Sequence, residues 1–364
     1  DYVDEDGNRK RTSLGHADRR KAERQRAQKE REGRMGIVAP QSMKLSDFAK
    51  DSLQQTGDQI RQSTRQEYAS AMAQFIDVIG NMDYQRVEHK HGETFIQARL
   101  DHGDSPATVA KKIRHLKRFF QLAVDRGQLD AHPLRRIRQP KSSKKTIRVY
   151  KVAEYERILR AARELTGEFS VRWDRLVSLA LTTGMQKSEM LNSIWCDIDF
   201  KAKKIEVTPK VNTERTWEWK IKDTDRRTLP LTDELIALLS SAQAELPEGY
   251  PYVLVPPCRY DQIQELRRRQ RRGFTDARTS VIHGFTSKFD KILERASVSD
   301  GRFHDLRNTA LTHWFANGLK EFEVMRLAGH AKFETTHKFY LAVADDLVDR
   351  ARAASVRILP SGFG

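Results

Sequence analysis

The sequence predicts a mainly helical protein with one small antiparallel β-sheet, folded as two domains. Three observations predict it. Apolar residues recur three and four apart within 66–79, 105–127, 303–315 and 341–358, the spacing that gathers them on one helix face. Polar and apolar residues alternate only within 204–231, enough for a hairpin-based sheet. Residues 139–149, Gln-Pro-Lys-Ser-Ser-Lys-Lys-Thr-Ile-Arg-Val, combine Pro, Ser and positive charge with little apolar content, as an exposed linker does. A chain of 364 residues is long enough for two cores and a tail.

Residues 1–42 form a basic tail. Between Arg9 and Arg34 the only large apolar residue is Leu14, so this stretch cannot bury a core and is expected to be disordered or a solvated helix. It carries +3 through Gly36, so +13 of the net +16 lies in the folded body. An accessory arm for DNA or a partner and an inert tail both remain open for it.

Residues 43–138 read as a helical domain. Ser63 with Gln66 is a capping-box start, Tyr68, Met72, Phe75, Ile76 and Ile79 mark one apolar face, and Gly80 ends the helix. A second helix opens at Ser105-Pro106, buries Val109, Ile113, Leu116, Phe120 and Val124, and stops at Gly127. Its other faces carry Lys111, Lys112, Arg114, His115, Lys117 and Arg118, enough cations to line several phosphates. Lys141, Lys144 and Lys145 extend that positive charge into the linker.

The second domain, 150–364, opens with a helix near 152–165 and an apolar run at 176–181. Residues 204–207, 216–221 and 228–231 are the expected strands, with Lys222 at the hairpin edge and Lys220 as a close competitor. The basic run Arg267-Arg268-Arg269-Gln270-Arg271-Arg272 either tracks a phosphate backbone or lies on an exposed loop and helix. A last helix is expected over 341–358, packed on its own domain or on a neighbouring subunit.

The most informative residues are His304-Asp-Leu-Arg307, Gly329-His330 and Tyr340. His304 and Arg307, three apart on a helix, aim at the same point. A planar, permanently charged guanidinium suits the non-bridging oxygens of a pentavalent phosphoryl group. His304 takes or holds a proton near neutral pH, and His330 donates to the same phosphate. Tyr340, the only tyrosine in the last hundred residues, is the nucleophile this arrangement calls for.

At these residues the chain resembles the tyrosine recombinases, the phage integrases and their relatives. That family carries a His-x-x-Arg helix, a Gly-His pair and a Thr-Thr followed by the nucleophilic Tyr, here His304 to Arg307, Gly329-His330, Thr335-Thr336 and Tyr340. Thr182-Thr183-Gly184-Met185-Gln186-Lys187-Ser188-Glu189-Met190-Leu191 resembles its first box, and 222–231 resembles the hairpin that presents a catalytic lysine. The resemblance spans residues 45–350. It implies that 43–138 is a core-binding domain that clamps duplex DNA, that Lys222 protonates the leaving 5′ oxygen, and that the protein works as a homo-multimer, a tetramer, on DNA.

One position departs from the pattern. Gln186 stands where the first box carries its catalytic arginine; an amide donates hydrogen bonds but brings no charge to the phosphate. Two readings follow: a site-specific recombinase working through a 3′-phosphotyrosine, or a recombinase-like DNA-binding protein with weak or absent cleavage. A type IB topoisomerase is a more distant third. Lys187 is adjacent, yet one helical step would turn it about 100° away. Glu189 reads as structural support.

Bulk properties agree. The +16 net charge and pI near 9.8 favour a polyanionic partner. No acidic triad at metal spacing is present, so neither a metal nor another cofactor is expected. Cys196 and Cys258 have no paired spacing, which fits a reducing compartment. Without a long apolar stretch or an apolar amino terminus, a soluble cytoplasmic protein with no membrane partner is expected. The chain opens at Asp1 without methionine, as a fragment or processed product would.

Overall fold

The computed structural model describes residues 43–55, 60, 62–141, 147–165, 171–221, 226–270 and 281–343, together with a few positions among the first 23. The side chains of 270 and 340–343 lie outside that description. The described residues are mainly helical with a small antiparallel sheet. They divide into two compact units, Asp1–Lys144 and Lys145–Gly364.

In the first unit, two-residue strands β1 (Tyr2–Val3) and β2 (Arg9–Lys10) pair antiparallel. Helices α1 (Leu45–Gln55), α2 (Gln62–Ile79), α3 (His89–Asp101) and α4 (Pro106–Asp125) follow. They close on Phe48, Met72, Phe75, Phe95, Ile113, Leu116, Phe119 and Phe120, all essentially inaccessible. Each such side chain contributes about 1.5–3 kcal/mol on burial. α4 starts as its sequence dictates, with Ser105 Oγ accepting from the Thr108 N–H at 3.3 Å and Pro106 in the first turn. α2 differs from expectation: the helix already includes Gln62, so Ser63 lies inside it rather than capping it. Gly80, at φ +85°, terminates α2.

The second unit begins with α5 (Val152–Glu164), α6 (Trp173–Thr183) and the one-turn α7 (Lys187–Leu191). A three-stranded antiparallel sheet, β3 (Ile198–Asp199), β4 (Lys204–Val207) and β5 (Arg227–Pro230), is ordered β3-β4-β5 with Ile205 opposite Leu229. Then come α8 (Asp233–Ala244), α9 (Pro257–Gln270), α10 (Phe285–Arg295), α11 (Phe303–Ala316), α12 (Glu321–Ala328) and α13 (Phe333–Val343). A core through Trp173, Leu176, Leu179, Ile205, Leu229, Phe289 and Leu306 holds α6, α10, α11 and the sheet together.

Residues 216–221 do not form the expected strand. Trp217 stacks on Tyr252 with ring centroids 4.0 Å apart, its main-chain N–H donates to Tyr252 Oη, and its Nε1 donates to Asn192 Oδ1 at 2.7 Å. The Trp217 main-chain N–H is thereby diverted from a ladder, and the segment keeps one isolated bridge, Lys210 with Trp219. The helix expected over 341–358 lies outside the described residues beyond 343.

Candidate active site

α11 is organised at its amino end by Asp305, which accepts from the Arg302 N–H at 2.8 Å and from Asn308 Nδ2 at 2.9 Å. One turn on, Thr309 Oγ1 accepts from the Tyr150 N–H at 2.9 Å, so the start of the domain is tied to the helix that carries Arg307. Arg307 is only 3 % exposed. Its Nη1 donates to the Gly184 carbonyl and its Nη2 to the Ala328 carbonyl at 2.7 Å. Both acceptors lie where helices end, α6 and α12, so the guanidinium sits against the negative ends of two helix dipoles.

Glycines make those ends possible. Gly184 and Gly329 cap α6 and α12 at φ +61° and +67°. A Cβ on Gly184 would meet Leu311 Cδ1 at 2.9 Å, and one on Gly329 would meet Arg227 Nη1 at 2.8 Å. A side chain at either position is strained by the positive φ and crowds Leu311 at the first or Arg227 at the second.

His330 completes this cluster. Its Nε2 lies 3.0 Å from Arg307 Nη2 and its Nδ1 2.9 Å from Thr336 Oγ1. Arg307 only donates, so Nε2 accepts, and the proton is assigned to Nδ1, which donates to Thr336. Burial, followed by the facing Arg307 guanidinium, pushes the imidazole down to about 3, so the ring is neutral at physiological pH. The sequence casts His330 as a phosphate donor; here its Nε2 is an acceptor occupied by Arg307. Thr336 is fully buried on α13, and Phe339 stacks on the imidazole at 6.1 Å. The Gly329-His330 turn is thereby fastened to the helix whose backbone carries Tyr340.

This neutral histidine has a pH signature. Between about 6.5 and about 3 the unfolded chain binds a proton at His330 that the folded chain excludes. Stability is therefore expected to fall as pH drops through that window. The slope should stay below the ~1.4 kcal/mol per pH unit limit of one proton, because the part-exposed ring is screened. His330→Gln should flatten the urea-unfolding stability profile between pH 6.5 and 5; an unaltered slope would show that the ring already charges in the folded state.

The first box is built differently from a continuous helix. Gln186 is the extended N-cap of α7, at φ −72° and ψ 151°, and its N–H donates to Glu189 Oε2 at 2.7 Å. Glu189 is buried and also accepts from Arg227 Nη2 at 2.6 Å. Arg227 Nε donates to the Leu327 carbonyl at 2.7 Å, so this one side chain links β5, α7 and the end of α12. Beside Arg307 a cavity of about 310 Å³ is lined by Met185, Lys187, Phe285, Arg302 and the exposed His304, among others.

The chain matches the phage integrase family over residues 148–346, and the amino-terminal SAM-like domain of phage integrases over 53–127. The chain belongs to the phage integrase family. A XerC-like tyrosine recombinase of Caldanaerobacter subterraneus subsp. tengcongensis is 27 % identical over 261 residues, 66 % of this chain and 63 % of that protein. The match thus spans under two thirds of that relative's length. XerC of Herpetosiphon aurantiacus is 23 % identical, over 66 % of this chain and 70 % of its own. Among solved structures, the Tn1549 transposon integrase with circular intermediate DNA superposes with TM-score 0.65 at 16 % identity, over 87 % of this chain and all of that one. A lambda integrase dimer on a COC′ core site gives 0.62 at 16 %, over 90 % and 82 %.

Other sequence-predicted residues of this phage integrase family member are placed as follows. Lys222, Lys144 and Lys145 lie outside the described residues. Lys220 is exposed and pairs with Glu218 at 3.1 Å. On α4 of the SAM-like domain, Lys111 pairs with Glu67 at 2.5 Å and Lys112 with Asp104 at 2.5 Å. Lys117 turns inward to donate to the Arg135 and Ile137 carbonyls at 3.1 and 2.8 Å, and the His115 ring packs tilted against Tyr68 with centroids 4.8 Å apart. Arg114, which reaches Gln139 Oε1 at 3.3 Å, Arg118 and Lys141 are exposed. Arg267 is drawn into the carbonyls of Thr213 and Thr216, while Arg268 and Arg269 pair with Glu265. Sequence reasoning missed Arg227 and also Lys210, which is buried against Asp197 at 3.0 Å. Among the described residues no group of three or more His, Cys, Asp or Glu is placed to hold a metal, and no helix is long and apolar enough to cross a membrane.

Proposed function

We propose that this chain is a site-specific DNA recombinase that breaks and rejoins strands through a 3′-phosphotyrosine. Tyr340 Oη attacks the scissile phosphorus while the bond to the 5′ oxygen breaks; the tyrosine proton passes to His304, and Lys222 gives a proton to the leaving oxygen. Arg307 holds the non-bridging oxygens, and His330, in the tautomer that carries its proton on Nε2, donates to the same phosphate. The observation that carries this reading is the buried Arg307 guanidinium, fixed by two helix-end carbonyls and by the histidine tied to the Tyr340 helix. Residues 43–138 clamp the duplex, 139–149 connect the domains, and the exposed Arg114, Arg118 and Lys141 supply direct backbone contacts, with Lys111, Lys112, His115, Lys117, Lys144 and Lys145 adding positive field. The working assembly is a tetramer on DNA, in the cytoplasm.

The uncharged Gln186 favours the second reading, a DNA-binding relative that cleaves slowly. One experiment separates them. A duplex site recovered by binding selection is nicked near the exchange point so that religation is blocked. The full chain should accumulate a covalent protein–DNA complex that Tyr340→Phe abolishes while DNA affinity is kept. Tight binding with no covalent complex would leave only the binding module.

A further inference from the structure

We propose that Lys187 supplies the attacked phosphate with the positive charge that Gln186 lacks; this rests on the recombinase reading above. The chain is not helical between the two residues. Gln186 is extended and α7 starts only at Lys187, so the 100° helical step that would turn Lys187 away does not apply. The cavity beside Arg307 is lined by Met185 and Lys187 together with His304 and Arg307, and Gln186 takes no part in it.

Lys187 is also available. Its ammonium rests 4.8 Å from the centroid of Phe285, an aromatic wall of the same cavity. A cation over a ring at an exposed site is held by only ~0.5–1 kcal/mol, far less than a phosphate oxygen offers. Asp290 lines the cavity too, yet among the described residues Lys187 forms no ion pair with it. The buried cations Arg227 and Lys210, by contrast, are committed to Glu189 and to Asp197. A four-carbon stem then lets Lys187 leave the ring and follow the charge that develops on the non-bridging oxygens. It exchanges no proton; the bonds made and broken are those of the Tyr340 step.

The test uses the full chain on the nicked duplex, with either a phosphate or a methylphosphonate at the scissile position. Lys187→Ala and Lys187→Met should slow covalent-complex formation on the phosphate by ~10²-fold, the scale of one lost oxyanion donor, whereas Lys187→Arg keeps most of the rate. The methylphosphonate lacks one negative charge, so the deficit there should shrink below about tenfold, and it should shrink likewise in a Gln186→Arg background. Unaltered rates in Lys187→Ala and Lys187→Met, or the same deficit on both substrates, would overturn the proposal. If the parent chain itself forms no Tyr340-dependent complex, the recombinase reading fails and the proposal with it; a Tyr340-dependent complex indifferent to Lys187 removes the proposal alone.

Discussion

Replacing Arg307 by Ala is expected to lower the rate of covalent-complex formation on nicked DNA by ~10³–10⁵-fold, the range measured when a phosphate-clamping arginine is lost. The expectation follows from how the side chain is held. A guanidinium that is 3 % exposed and fixed by two carbonyls and an imidazole reaches the phosphate already oriented, so its charge acts without reorganisation. Arg307→Lys should recover little, because one ammonium cannot satisfy Gly184 O, Ala328 O and His330 Nε2 and still face a phosphate. Removing the guanidinium also orphans buried carbonyls, at about 1–3 kcal/mol each in stability. Single-turnover rates at saturating protein, with urea midpoints alongside, separate the two effects. A rate within tenfold of the parent, from a folded Arg307→Ala protein, would rule out Arg307 as the phosphate clamp.

The sequence makes the helices legible wherever apolar spacing is long and regular, as in 105–127, where Ser105-Pro106 and Gly127 mark both ends as the structure has them. It misleads at 216–221, where alternation is present but Trp217 is claimed by Tyr252 and Asn192, partners 35 and 25 residues away. In the site, spacing alone places His304 and Arg307 on one helix. What spacing cannot show is the state of His330. Its neutrality comes first from burial and then from an arginine 23 residues earlier that meets its Nε2 at the turn made by Gly329. Nor does a run of charged residues tell which cations solvate a face and which fold inward, as Lys117 and Arg267 do by meeting carbonyls at loop ends. Arg227, by contrast, left a readable signal. In β5 the burial alternates, and Arg227 shares its face with Leu229, the inward face of the strand. A charged residue in phase with a core leucine needs a buried partner, and Glu189 is the acid it finds.

That buried pair carries the second large effect. Arg227→Ala is expected to cost about 3–5 kcal/mol of stability, because it leaves the Glu189 carboxylate buried with the Gln186 N–H but without its cation. The side chains are 5 % and 3 % exposed, so water cannot take the place of the guanidinium as it does for a surface pair. Glu189→Gln should cost less, since an amide oxygen still accepts from Arg227 and from the Gln186 N–H while the desolvated negative charge disappears. Combining Arg227→Met with Glu189→Gln should recover much of the loss, as replacing both members of a buried pair does. Urea titrations with an unaltered denaturant slope read these differences directly, and a cost under about 1 kcal/mol for Arg227→Ala would mean the pair is solvated. Loss of Arg227 also frees the Leu327 carbonyl and the space against Gly329, so the turn that aims His330 at Arg307 loosens. On the recombinase reading proposed above, its effect on cleavage should therefore exceed its effect on DNA affinity, because a duplex held by many separate cations would lose little from one loosened turn, whereas the proposed chemistry would depend on it.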